Sequence, residues 1–185
     1  EVDSRDNYGE TPLLLLARSR PWHENVPDSR RCETIQKLLS LGADIHAVNP
    51  RGRGVLHLAC TENDKAAIET LIEGLADVNV KDVAGFSPLM WAAGRNAVDS
   101  VKMLLDYEAD MHLKANKGQT AITFALTNGN GAVADLLERH EMLLDSEAAQ
   151  AAAPQLREDG EEVAVSTEKQ DQDFVPLQLP KPEWA

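Results

Sequence analysis

The sequence predicts an all-α solenoid of stacked helix–turn–helix units, followed by a disordered acidic tail. Three observations carry this. Gly52, Gly85 and Gly118 stand 33 residues apart, twice in succession, and self-similarity at such a period marks a repeat architecture. Thr11-Pro12 and Ser87-Pro88 read as helix starts: the hydroxyl caps free backbone N–H groups and the proline is preorganised for the first turn. Hydrophobic residues reach 43% but aromatics only 4%, so the core is built from Leu, Ala, Val and Ile, which suits helices stacked closely through small residues.

Taken in order, the first unit spans about 6–48. Gly9 opens it, Leu16 takes the position that is alanine elsewhere, and Ile35 and Leu38 fit the second helix after ten extra residues. Those extra residues fall at about 20–31, within RSRPWHENVPDSRRC, where two prolines mark a loop between the two helices. Units near 49–81, 82–114 and 115–144 follow without insertion. Seven residues after each glycine comes Ala59, Ala92 or Ala125; nine further on stand Ile68, Val101 and Ala134; three more bring Leu71, Leu104 and Leu137. A Gly-Ala-Asp-like exit closes the units at Gly42-Ala43-Asp44, Ala76-Asp77 and Ala109-Asp110. Each unit buries one face on the next, so stability comes from stacking.

Residues 145–185 are set apart as an acidic tail. From position 141 onward there are 3 Lys/Arg against 11 Asp/Glu, so this short part carries most of the net charge of −13. Beyond Pro154 the chain is polar, acidic and poor in core residues, the composition of disorder. The overall charge opposes broad nucleic-acid binding, which needs a basic footprint. No apolar run approaches 18 residues, so no membrane insertion is expected, and no secretory leader is visible. Cys32 and Cys60 lack CxxC spacing and read as free thiols of a reducing compartment, with a single disulfide the lesser alternative, so an intracellular setting, cytoplasm or nucleus, is expected. The absent initiator Met and the start in mid-pattern suggest a piece of a longer array or an incomplete first repeat.

GETPLLLLA, GADIHAVN, LADVNVKD, GFSPLMWAA and YEADMHLKANKGQTAITFA resemble ankyrin repeats. The resemblance covers residues 1–144, about four units, and implies β-hairpin-like fingers between them, with a partial N-terminal finger in EVDSRDNYG. Departures are informative. No unit keeps both Thr and His of the family's Thr-Pro-Leu-His: His57 follows Gly54-Val55, and Thr11, Ser87 and Thr120 are followed by Leu14, Met90 and Thr123. The glycine closing helix two survives only as Gly42, with Leu75, Glu108 and Glu141 in its place. A non-Gly residue at positive φ costs roughly 1 kcal/mol, and a shifted end at Gly74 would spare the second unit that cost. Glu138, Arg139 and Glu141 fit a polar capping helix.

Gly85-Phe86-Ser87 begins like a nucleophile elbow, but that motif needs a glycine two residues after the serine, and the register makes Ser87 a helix cap instead. His23, Cys32 and Cys60 lack patterned metal-ligand spacing, while His46 and His112 share a finger position two units apart. No metal and no cofactor are called for, and no catalytic activity is assigned. Leu71, Asp77, Val78 and Asn79 resemble the target of an asparaginyl hydroxylase in ankyrin proteins; the plainer reading is that the Asn79 amide ties finger to finger.

The resemblance implies partner binding on a concave face of finger tips and helix one. The candidate contacts are Tyr8, Glu10, Arg51, Arg53, Ala84, Phe86, Trp91, Arg95, Lys117 and Gln119, with Arg5, Lys81 and Lys114 recurring just before the turn. Aromatic and Arg residues are the usual hot-spot types. Trp91 has a competing role, packing between helices like Leu58 and Phe124 in the same slot. The expected partner is another protein or peptide, and the basic stripe suggests an acidic one. The tail's end, DFVPLQLPKPEWA, sets apolar anchors among prolines; an external groove and the array itself are both open as its docking site. Trp22 in the insertion is either an anchor or a plug. The leading function is a non-catalytic protein–protein interaction module. The alternative is a regulatory or substrate-targeting portion of a larger enzyme, such as a kinase, ubiquitin-ligase adaptor or transferase.

Overall fold

A computed structural model describes residues 1–18 and 28–151, with eight helices among them. The expectations for residues 19–27, including Trp22 and His23, and for the tail from 152 onward lie outside the described residues. Glu1–Leu144 forms one compact unit.

The first helices are α1 (Pro12–Arg18), α3 (Val55–Thr61), α5 (Pro88–Gly94) and α7 (Ala121–Thr127), each seven residues long. Helices this short are not stable alone in water. They pack in a row, α1 on α3, α3 on α5 and α5 on α7. The second helices, α2 (Asp28–Ser40), α4 (Lys65–Glu73) and α6 (Val98–Asp106), form a second row, and each pairs with the first helix of its unit. The final helix α8 (Gly131–Ala151) buries Val133, Ala134 and Leu137. The small residues of the register sit at the centre: Ala59, Ala92 and Ala125 are fully buried, as are Ile68, Val101, Leu71 and Leu104. Helix α2 begins at Asp28, so positions 28–31 are helical and not part of the inter-helix loop.

Helix starts follow the sequence. Ser87 Oγ accepts from the Met90 N–H, Thr120 Oγ1 from Thr123 and Thr11 Oγ1 from Leu14. Ser87 is also 1% exposed, held as a cap with no open face for chemistry. Where Gly54 has no side chain to offer, His57 compensates from the other side: its Nδ1 accepts the Gly54 N–H at 3.1 Å.

Helix ends need a left-handed residue, and the structure corrects one expectation here. Leu75 (φ 69°) and Glu108 (φ 59°) occupy the position of Gly42 (φ 86°). Gly74 does not take over that role; its φ is −75°. Two facts fix the register. The Leu75 N–H bonds the Ile72 carbonyl and the Ala76 N–H bonds Leu71, a Schellman closure that buries Ala76. Gly74 serves packing instead, since a Cβ there would lie 2.7 Å from Leu39 Cδ1. Glu141 lies within α8, which continues without a turn.

No strand forms among the described residues, yet the fingers are hairpin-like. Asp82 N–H bonds the Phe86 carbonyl and Gly85 N–H bonds Asp82, with Gly85 at φ +81°. Neighbouring fingers are joined by Val83 N–H to Arg51 O (3.2 Å) and Asn116 N–H to Ala84 O (3.0 Å).

Candidate partner interface

In three of the four fingers one recurring side chain braces the turn. Asp6, Asn49 and Asp82 each turn Oδ1 back onto the backbone, accepting the N–H groups two and four residues on. In the last finger Ala115 stands at this place and offers no such acceptor. Long side chains just before the turn reach sideways: Arg5 Nη1 donates to Val48 O and Lys81 Nζ to Lys114 O. These two cations are therefore partly engaged in holding fingers together.

Phe86 is fixed at every point. Its N–H donates to Asp82 Oδ1 (2.9 Å), and its carbonyl accepts from Asp82 N and from His57 Nε2 (2.9 Å). Because His57 Nδ1 already accepts from Gly54, Nε2 must carry the proton in this contact. Burial holds the imidazole pKa below its ordinary value; the Phe86 carbonyl and Asp82 act in the opposite direction and Arg53 adds to the lowering. The Phe86 ring lies 4.8 Å from Phe124 and 6.0 Å from Trp91, edge-on to the latter.

Trp91 is tied to the finger while part of it stays open. Its indole N–H donates to Asp82 Oδ2 at 3.0 Å, and the residue remains partly exposed. The Arg53 guanidinium lies over the ring with Cζ 3.9 Å from the centroid, within the range of a cation–π contact. Arg53 Nε is enclosed without an acceptor. Burial pushes the Arg53 pKa down, Arg51 and Arg95 add to this, and Asp82 opposes it; guanidinium stays charged regardless.

Pro50, Arg51, Arg53, Asp82, Val83, Ala84, Phe86 and Trp91 line a cleft of about 530 Å³. Five of the ten residues singled out from the sequence thus share one site. Arg95 and Lys117 are exposed, Gln119 is partly exposed and Tyr8 is 77% exposed, all outside the cleft lining. Glu10 departs from its expected surface role. It is 5% exposed, accepts from Asn49 Nδ2 and pairs with Arg18 at 3.2 Å, so its carboxylate is turned inward between its own helix and the neighbouring finger. Asp82 is the residue that sequence reasoning missed; the signal was Asp6, Asn49 and Asp82 at one repeat position. Asn79 Oδ1 accepts the Asp110 N–H at 2.9 Å, the tie between fingers that its amide was expected to make.

The sequence matches the family described as ankyrin repeats (3 copies) over residues 22–115. It is 31% identical over 137 residues to ankyrin repeat domain-containing protein 63 of Mus musculus, covering 70% of this chain and 33% of that protein. Inversin of Homo sapiens is 31% identical over 137 residues, covering 71% and 12%. The E3 ubiquitin-protein ligase KEG of Arabidopsis thaliana is 30% identical over 116 residues, covering 62% and 7%. The chain spans a third or less of the length of these relatives.

Proposed function

The chain belongs to the ankyrin-repeat family, and from that premise we propose that residues 1–144 bind a protein or peptide partner through the finger and helix-one face, without catalysis of their own. The observation that carries this reading is the cleft in which Arg51, Arg53, Ala84, Phe86 and Trp91 meet. Its aromatic rings and guanidiniums are the residue types that dominate binding energy, and the backbone bonds on Phe86, the Trp91–Asp82 bond and the Arg53–Trp91 contact order part of the cleft in advance, which lowers the ordering cost of association. Tyr8, Arg95, Lys117 and Gln119 extend the face along neighbouring fingers. The basic side chains favour an acidic partner on electrostatic grounds.

Affinity purification with the full chain, with a form lacking residues 145–185 and with the Phe86→Ala/Arg53→Ala double variant, followed by mass spectrometry, tests this. Partners retained by the first and lost by the double variant support the face; undiminished capture by the double variant removes it. No described helix is long and apolar enough to cross a membrane. Cys32 and Cys60 are free thiols, which supports an intracellular setting. The Leu71, Asp77, Val78 and Asn79 pattern keeps Asn79 a candidate for hydroxylation, readable as one added oxygen on its peptide by mass spectrometry.

A second reading makes the array the targeting or regulatory part of a larger enzyme. It is favoured by the small share of its relatives that the chain spans, one of them named as an E3 ubiquitin ligase. An open reading frame with no catalytic domain beside this segment would exclude it.

A further inference from the structure

The cleft has a charge imbalance that its own residues do not neutralise. Arg51 and Arg53 line it, Arg95 stands close enough to bear electrostatically on Arg53, and Asp82 is the one carboxylate among the lining residues. Asp82 is already engaged: Oδ1 takes the Ala84 and Phe86 N–H groups and Oδ2 takes the Trp91 indole. None of the three arginines has an ion pair with a described residue. The Arg53 guanidinium lies over Trp91, and while its Nε is enclosed, its Nη groups are not among the enclosed unpartnered atoms. The Nη donors are therefore open to an anion, and a guanidinium fork suits planar ones such as carboxylate and phosphate. Beside it the wall is apolar: Pro50, Val83, Ala84 and the partly exposed Phe86.

We propose that this cleft is a two-part peptide pocket, in which Arg53, supported by Arg51 and Arg95, takes an anionic side chain and the Pro50–Val83–Phe86 wall takes an adjacent aliphatic one. The inference rests on the interface reading above and names the partner's chemistry: a carboxylate or phosphorylated side chain next to a residue such as leucine. The chain's net charge of −13 weighs against nucleic acid as the source of the anion. Trp91 is the reporter, since its ring lies under the guanidinium and its indole N–H is bonded to Asp82.

The test is a titration of the full 185-residue chain, labelled with ¹⁵N, using blocked dipeptides. N-acetyl-Glu-Leu-amide and N-acetyl-phosphoSer-Leu-amide supply the two anions; N-acetyl-Gln-Leu-amide is the neutral control. The Trp91 indole resonance, assigned by its loss in Trp91→Phe, should move saturably with at least one anion at a dissociation constant on the order of millimolar. The neutral peptide should bind about tenfold more weakly or not at all, and added salt should weaken the anions. A response to phosphoSer alone names a phosphorylated partner, and a response to both names an acidic one. Arg53→Met, which keeps an apolar stem over Trp91, should abolish the shift, and the exposed pair Arg51→Gln/Arg95→Gln should weaken it without touching packing. Equal binding of the Gln peptide, no saturable shift with either anion, or an unchanged shift in both variants overturns the pocket. Those results leave the interface reading standing, because that is judged by partner capture in Phe86→Ala/Arg53→Ala; loss of the face there, with dipeptide binding intact, separates the failures in the other direction.

Discussion

Replacing Asp82 should loosen the third finger in a graded way that the structure specifies. Asp82→Ala removes the acceptor of three hydrogen bonds, from Ala84 N–H (2.9 Å), Phe86 N–H (2.9 Å) and Trp91 Nε1–H (3.0 Å). Bonds to a charged acceptor are worth about 1.5–3 kcal/mol each. Ala84 is exposed and Phe86 and Trp91 are half-buried, so water recovers part of the loss, and about 3 kcal/mol in total is expected. Asp82→Asn should cost roughly half of that. At the equivalent finger Asn49 Oδ1 already accepts Arg51 and Arg53 N–H groups at 3.0 and 3.1 Å, so an amide preserves the turn. It loses the indole bond, where its NH₂ would face another donor, and it loses the charge beneath Arg53. Urea denaturation followed by far-UV circular dichroism reads both variants, provided the slope stays constant so that the midpoint reports stability. Asparagine as damaging as alanine, or alanine costing under about 0.5 kcal/mol, would refute the assignment of Asp82 as the finger's organiser.

Three further outcomes concern single positions in the stack. His57 is buried with its pKa below 6.5, so below that pH the unfolded chain takes a proton the folded chain resists. Its contribution is complete above pH 6.5 and declines as pH falls, by at most about 1.4 kcal/mol per pH unit; His57→Gln should flatten stability between pH 7 and 5 relative to wild type. A Cβ on Gly94 would lie 2.2 Å from Phe124 Cε1, so Gly94→Ala should destabilise by about 1–3 kcal/mol, with rescue by Phe124→Leu, which restores the residue type that Leu58 has in that slot; absence of rescue in thermal melts would point elsewhere. Leu75→Gly and Glu108→Gly, at exposed sites with φ of 69° and 59°, should each raise stability by roughly 0.5–1 kcal/mol, and a fall in melting temperature would contradict the strain argument.

The stack was legible because every unit repeats the same instruction. Ala59, Ala92 and Ala125 are buried because the register puts a small residue where one helix crosses the next, and Ser87 is a cap because Thr11 and Thr120 are. The interface was legible only in part, since the register says which positions face outward and not what lies beside them. Glu10, Arg53, Phe86 and Gln119 share one repeat position, yet Glu10 is captured by Arg18 and Asn49 while Arg53 lies over Trp91. That difference depends on the neighbouring finger, a contact between residues distant in sequence. Leu75 was misjudged for a similar reason: local preference favoured Gly74, but Ala76 has to reach the core and Gly74 has to clear Leu39. Asp82 was readable in principle and needed only a comparison with Asp6 and Asn49.

The central claim, that the finger and helix-one face is where a partner sits, is tested most directly by site-specific photocrosslinking. A benzophenone amino acid placed at the exposed Ala84, on the cleft, is compared with one at the exposed Lys102 on α6. A partner adduct at 84 and none at 102 is the predicted result. An adduct at 102 with none at 84 would contradict it.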